Sequence, residues 1–261
     1  MTNVECVSSV LFSCIYTLLK FQSDIRLHQP ASDLDWNTMS SSGVTLYPAE
    51  CENLINKLVQ SFWATEQTYM EMYAVCTQDS TSALGFAEFF HLCALRNGTL
   101  GMKLLNYHTS RGGQMIGVEI RRSIGMPEKK DMSAEKLMLM AFDMEKMLLE
   151  LMNEIHLMAR SKNDMSTDQY IDSKLMKPQT QMLTIIQNHI RGLNESENLW
   201  TYDVLTMKPF VSKIYQMIGL GEMTPIFRSC SLQGNVCAAT NSVVSNWNKE
   251  SLEAFASSLL C

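Results

Sequence analysis

The chain has 261 residues, long enough for one sizeable hydrophobic core plus appendages. A net charge of −6 and a pI of ≈ 5.4 argue against a nucleic-acid protein held by a general basic surface. Hydrophobic residues make up 46%, yet every long apolar run is broken by polar residues, which argues against a membrane-spanning helix.

Val4 to Leu19 is mostly apolar, with Glu5 as its single charge and Lys20 after it. This is either the apolar part of a secretory signal or an ordinary N-terminal extension. A basic leader and a clear small-x-small cleavage site are missing, so both readings stand. The first implies the secretory pathway or the outside of the cell, the second the cytoplasm. From residue 20 to 47 the chain is polar and irregular, with Pro30 and Ser40-Ser41-Ser42-Gly43, and reads as a loop or arm.

Pro48 suits the first turn of a helix, where its missing N–H costs nothing. Ile55, Val59, Phe62, Tyr69 and Tyr73 then recur at helical spacing, predicting a first helix from Pro48 to Cys76. Asp79 to Ser82 is a turn. A second helix ends at Gly112 and Gly113, which supply a left-handed stop. Within it, Gly98 costs about 1 kcal/mol relative to alanine. A long connection, Gln114 to Met132, leads to Ser133, a good N-cap. Leu137, Ala141, Met144, Leu148, Leu151 and Ile155 form a bundle seam on the third helix. After a turn at Lys162-Asn163-Asp164, a fourth helix runs from Ser166 to Leu193. Pro178 should kink it, at about 3 kcal/mol.

Leu199 to Met207 predicts a short fifth helix ending before Pro209, and Val211 to Gly219 another. The tail from Glu222, rich in Ser, Asn and Cys, reads as loosely ordered, with a small helix possible over Leu252 to Leu260. The predicted fold is therefore all-α: a four-helix bundle with one long crossover between its second and third helices and a short fifth helix. It divides into an N-terminal extension (1–47), a bundle (48–208) and a partly disordered C-terminal extension (209–261).

The twenty methionines read as adaptable core filler, since nothing in their spacing favours a metal or oxidation-sensing surface. The eight cysteines include no C-x-x-C pair, which argues against a zinc site. Their scatter fits either reduced core thiols or long-range disulfides.

Four pieces together resemble the ferritin family: Gly85-Phe86-Ala87-Glu88, Arg111-Gly112-Gly113, Met144-Glu145-Lys146 and Lys162-Asn163-Asp164. The resemblance covers Pro48 to Met207. Cys51, with Trp36 upstream, is similar to the secreted heavy-type branch.

That resemblance implies a cage of subunits and an iron-oxidising site of carboxylates and a histidine inside the bundle. Position by position, much of that set is replaced. Phe62 stands at the first helix's glutamate position, and Asn97 and Leu100 stand at the Glu-x-x-His of the second. Arg96 adds a positive charge beside them. Tyr69, Glu145 and Gln179 match the family. Glu145 and Arg96 then form a buried ion pair where metal would sit, with Tyr69 and Gln179 hydrogen-bonding around it. Glu145 is left as a weak metal ligand. Glu66, one turn beyond Phe62, and His91 are the candidates for a displaced site. The acidic mineral-nucleating stripe of light-type ferritins has Glu88, His91, Leu92, Leu95, Arg96 and Thr99 in its place. At the family's three-fold pores stand His156, Gln169 and Asp172, with Asp168 adjacent.

The resemblance thus implies a subunit of an iron-storage shell, itself not an enzyme, co-assembling with active ferritin subunits. Iron is the implied cargo, bound weakly or indirectly by this subunit. The alternative is a protective or chaperone-like assembly that does not handle iron, similar to the artemins. A third reading is an active ferroxidase with a rearranged site.

Overall fold

Pro48 enters the first helix with φ −61°, the value its ring imposes, and α1 runs Ala49–Cys76. Glu50 and Glu52 lie in its first turn, where the helix dipole favours acids. The computed structural model describes residues 47–78, 81–117, 133–218 and 249–259. The apolar run Val4 to Leu19, the arm up to 46 with Trp36, the crossover from 118 to 132 and residues 219–248 lie outside them. So do Cys6, Cys14, Cys230, Cys237 and Cys261. The described residues belong to one compact unit, Thr45–Cys261.

The second helix, α2, spans Leu84–Ser110 and closes through Gly112, whose φ of 83° is the left-handed conformation glycine adopts without strain. Gly113 N–H then donates to the His108 carbonyl at 3.0 Å. Arg111 fastens this end to the next turn: its guanidinium lies 3.0 Å from the Asp164 carboxylate and 2.7 Å from the Tyr107 hydroxyl. Helix α3 (Ala134–Ser161) starts at Ser133, whose hydroxyl accepts from Lys136 N–H. Asp164 caps α4 (Met165–Tyr170) in the same way, accepting from Thr167 N–H at 3.2 Å.

The chain does not break at Pro178. It widens into a π-helical stretch, Ile171–Met176, and resumes as α5, Lys177–Glu195, with Pro178 in the opening turn, where proline is tolerated. The same device recurs downstream. Helix α6 (Leu199–Tyr202), a π stretch (Asp203–Met207) and α7 (Lys208–Met217) follow without a gap, and Pro209 again falls in the opening turn. Two short helices separated by Pro209 are therefore one rod, which runs straight through the expected division between bundle and tail at 208. In the tail, α8 (Lys249–Leu259) packs against α2, α5 and α7. The Phe255 ring stacks on Phe89 with centroids 6.5 Å apart. No strand occurs among the described residues.

Helices α1, α2, α3 and α5 make the bundle, and its core has two apolar halves. One half gathers Met72, Phe86, Phe89, Cys93, Met144 and Met182 with Phe210 and Phe255 from the C-terminal elements. The other holds Ile55, Phe62, Leu100, Leu104, Leu148 and Leu175. Along each helix the residues between the halves are polar: Arg96 and Asn97, Glu145, Gln179. His189 is buried in the first half, its ring 4.7 Å from Phe210 and its Nδ1 3.0 Å from the Tyr202 hydroxyl. Burial pushes its pKa down to about 3. Cys51, Cys76 and Cys93 are free and buried. Burial pushes the Cys76 thiol up to about 12 and that of Cys93 well above its ordinary value.

Candidate functional site

The polar layer centres on Glu145 of α3, which has no exposed surface. The Tyr69 hydroxyl donates to its Oε1 at 2.9 Å, and the Asn97 side-chain amide donates to the same oxygen at 3.0 Å. Gln179 donates to Oε2 at 2.5 Å and to the Glu145 backbone carbonyl at 2.8 Å. Arg96, also fully buried, brings its guanidinium to 3.4 Å from Oε2. Its other terminal nitrogen donates to Gln179 Oε1 at 3.1 Å and to the Pro178 carbonyl at 3.3 Å. Both carboxylate oxygens thus hold donors, and one positive charge faces one negative charge in a layer closed to water. The Tyr69 hydroxyl is held well above its ordinary pKa, chiefly by burial and next by the Glu145 charge, so it stays a donor. Phe62 and Leu100 are buried in the adjacent apolar half and offer no lone pair.

Glu66 is not part of this layer. It is half-buried against α2, where a Cβ added to Gly98 would stand 2.6 Å from its Oε1. Burial raises its pKa. Gly98 is therefore a place where a neighbouring side chain approaches the helix backbone closely. Gly101, one turn on, leaves room for the Trp63 indole in the same manner. His91 lies two helical turns before Gly98, about 10 Å along the axis, beside Glu88, Tyr215 and the Tyr73 ring. Glu66, His91 and Glu145 are thus not brought to one place. Among the described residues no group of three or more His, Cys, Asp or Glu side chains could hold a metal ion.

Of the residues matching the family's pore, His156 meets the adjacent Asp168, with Nδ1 2.6 Å from Oδ1. Arg160 Nε donates to both Asp168 oxygens at 3.3 Å. Asp168 is 7% exposed and tied down within its own chain, whereas Asp172 and Gln169 point to solvent from the neighbouring turns. Glu88 is buried too, accepting from the Tyr215 hydroxyl at 2.7 Å. Three contributors escape sequence reading. The Pro178 carbonyl, just after the π stretch, accepts from Arg96. Asn97 acts as a donor through its rotamer. Tyr215 reaches Glu88 from 127 residues away, with no spacing to signal it.

A family model described as a ferritin-like domain matches residues 52–196, the stretch holding α1 through α5. The chain is 25% identical over 163 residues to "Ferritin, chloroplastic" of Malus baccata var. xiaojinensis, covering 60% of this chain and 64% of that protein. It is 25% identical over 170 residues to "Ferritin-4, chloroplastic" of Arabidopsis thaliana, covering 62% and 64%. With "Ferritin-1, chloroplastic" of Pisum sativum the identity is 24% over 160 residues, covering 59% and 62%. The chain thus spans a little under two thirds of the length of these curated relatives.

Proposed function

The chain belongs to the ferritin-like domain family, and from that premise we propose that it is a subunit of an iron-storage shell that lacks a complete ferroxidase site and co-assembles with active subunits. The observation carrying this reading is the Arg96 guanidinium held by Glu145, Gln179 and the Pro178 carbonyl in mid-bundle. A pair of ferrous ions needs several anionic ligands to offset its charge in a low-dielectric interior. Here the single carboxylate is already neutralised and hydrogen-bonded. Displacing its donors would leave Arg96 buried and unpaired, which costs several kcal/mol. These residues do not fit an oxidation site, and no step through bound iron is derived from them.

Assembly has its own support in exposed apolar side chains on the bundle. Leu95 and Met102 lie seven residues apart along α2, and Leu157 and Met165 flank the α3–α4 turn at 66% and 67% exposure. Such surface suits contact between subunits. Exposed Met70, Met102, Met147 and Met165 also favour the second reading, a protective assembly that holds unfolded clients on adaptable apolar surface.

The test is aerobic oxidation of ferrous iron by the protein at its native assembly size, beside a heavy-type ferritin. Silence from a cage-sized particle supports the proposal. Rapid oxidation abolished by Glu145→Ala or Glu66→Ala overturns it. Failure to form a cage, alone or with an active partner, removes the shell reading. Mixed cages that take up no iron yet suppress client aggregation favour the protective one. The compartment is a separate proposal resting on Val4 to Leu19. A mature N-terminus beyond Lys20 in mass spectrometry supports secretion, and an intact Met1 in the protein isolated from its source overturns it.

A further inference from the structure

Asn-x-Ser/Thr, the acceptor pattern for N-linked glycans, occurs twice in the chain, at Asn97-Gly98-Thr99 and Asn194-Glu195-Ser196. The structure separates the two. Asn97 has no exposed surface, and its side-chain nitrogen already donates to Glu145 Oε1 at 3.0 Å and to the Cys93 carbonyl at 2.9 Å. A glycan on that nitrogen would break the closed polar layer open, so Asn97 is not an acceptor in a chain that folds. Asn194 is exposed in the last turn of α5, and the backbone leaves the helix at Ser196, with ψ 149°. The Ser196 hydroxyl is held only locally, donating to the Leu193 carbonyl at 2.9 Å and lying 3.5 Å from that of Asn198. Helix ends open at little cost. The second pattern is thus able to unwind and present its amide and hydroxyl together.

The surroundings favour the same position. Asn194 borders a shallow hollow between α3 and α5, whose other lining residues are Glu135, Leu139, Ile190 and Leu193. Leu139 is 51% exposed. Trp200, at the start of α6 just beyond the pattern, is also largely exposed. A bulky, solubilising sugar on Asn194 covers apolar surface that the protein itself leaves open.

We propose that Asn194 is an N-glycosylation site, modified as the chain passes through the secretory pathway. The proposal rests on the secretory reading of Val4 to Leu19. The co-reactant is a lipid-pyrophosphate-linked oligosaccharide. Asn194 Nδ2 forms a bond to the anomeric carbon of its first sugar, and the bond from that carbon to the phosphate oxygen breaks. The lipid pyrophosphate leaves with the bonding pair, one amide proton is released, and nothing is oxidised or reduced. Transfer precedes closure of the α5 end, and the folded bundle then carries the glycan outside its core. The glycan also keeps this face out of subunit contacts, which leaves them to surfaces such as Leu95 and Met102 or Leu157 and Met165.

The experiment is production of the full-length chain in a eukaryotic secretory host in two forms, one with its own N-terminus and one behind a proven secretory leader. Intact mass is measured before and after an amidase that removes N-glycans, in secreted and retained protein alike. Peptide mapping then locates the asparagine that the amidase converts to aspartate. The expected result is one downward mass step, assigned to Asn194. It should be lost in Asn194→Gln and Ser196→Ala and kept in Ser196→Thr, which restores the hydroxyl. All three substitutions are at the surface end of α5, and circular dichroism checks that each variant folds. A step seen only behind the proven leader supports the acceptor site and overturns the secretory reading of Val4 to Leu19. Absence of the step behind the proven leader, its survival in Asn194→Gln, or its assignment to Asn97 overturns the proposal.

Discussion

Arg96 and Glu145 stabilise the bundle only as a pair. Removing one partner of a fully buried ion pair strands the other charge, whereas replacing both with apolar groups is often near neutral. Arg96→Leu should therefore lower unfolding free energy by about 3–5 kcal/mol. Arg96→Leu combined with Glu145→Leu should recover much of that loss in chemical denaturation. The pairing itself was legible, because an arginine beside the matched carboxylate position has few other ways to be neutralised. The supporting Asn97 amide and Pro178 carbonyl were not, since both depend on a rotamer and a helix register that residue types do not encode.

His189 carries a different prediction. Its pKa is about 3 in the folded state against 6.5 when unfolded, so acid protonates the unfolded chain first. Stability linked to this group is complete above 6.5 and falls as the pH drops toward 3. The loss is about 2 kcal/mol by pH 5. Thermal denaturation of His189→Gln should show a correspondingly flatter profile between pH 7 and pH 5.

At the level of helices, Pro178 was read as a kink and Pro209 as the stop after a helix, and both are accommodated by a π stretch just upstream. Proline rules describe a regular α-helix; a locally widened helix delivers the proline to an opening turn instead, and no local spacing announces it. The glycines of α2 also divide by what they face. A Cβ on Gly85 would lie 2.7 Å from Asp203 Oδ1 and 2.9 Å from the Lys208 backbone nitrogen, so a rigid neighbour is in the way. On Gly98 its nearest contacts would be with the movable end of Glu66. Gly85→Ala should destabilise by about 1–3 kcal/mol through overpacking. In Gly98→Ala, about 1 kcal/mol of helix propensity should offset the displacement of Glu66, for a net change near zero. Denaturant midpoints of the two variants give the comparison directly.

For the molecule as a whole, the four main helices and their all-α arrangement were readable because apolar spacing near 3.6 residues persists over each helix. The role of the C-terminal elements was not. A segment rich in Ser, Asn and Cys carries little periodic signal, yet α8 delivers Leu252 and Phe255 to the larger half of the core, at 1% and 2% exposure. Phe255→Ala should then cost about 3–5 kcal/mol, the range for a buried phenylalanine, and be visible as a lower melting temperature. An unaltered melting temperature would mean that α8 does not hold the core together.

The three sealed thiols have a practical consequence. A thiol reacts with alkylating agents as its thiolate; Cys51, Cys76 and Cys93 are all buried, and burial raises the pKa of each, most for Cys76 and Cys93. They can be labelled only while the surrounding helices are apart. Cys51 sits at the start of α1, Cys76 at its end and Cys93 in mid-α2, so iodoacetamide followed by peptide mapping gives three separate clocks for opening. Equal labelling rates would show that the bundle opens as one cooperative body. Faster modification of Cys51 would show that the Tyr47 end frays first.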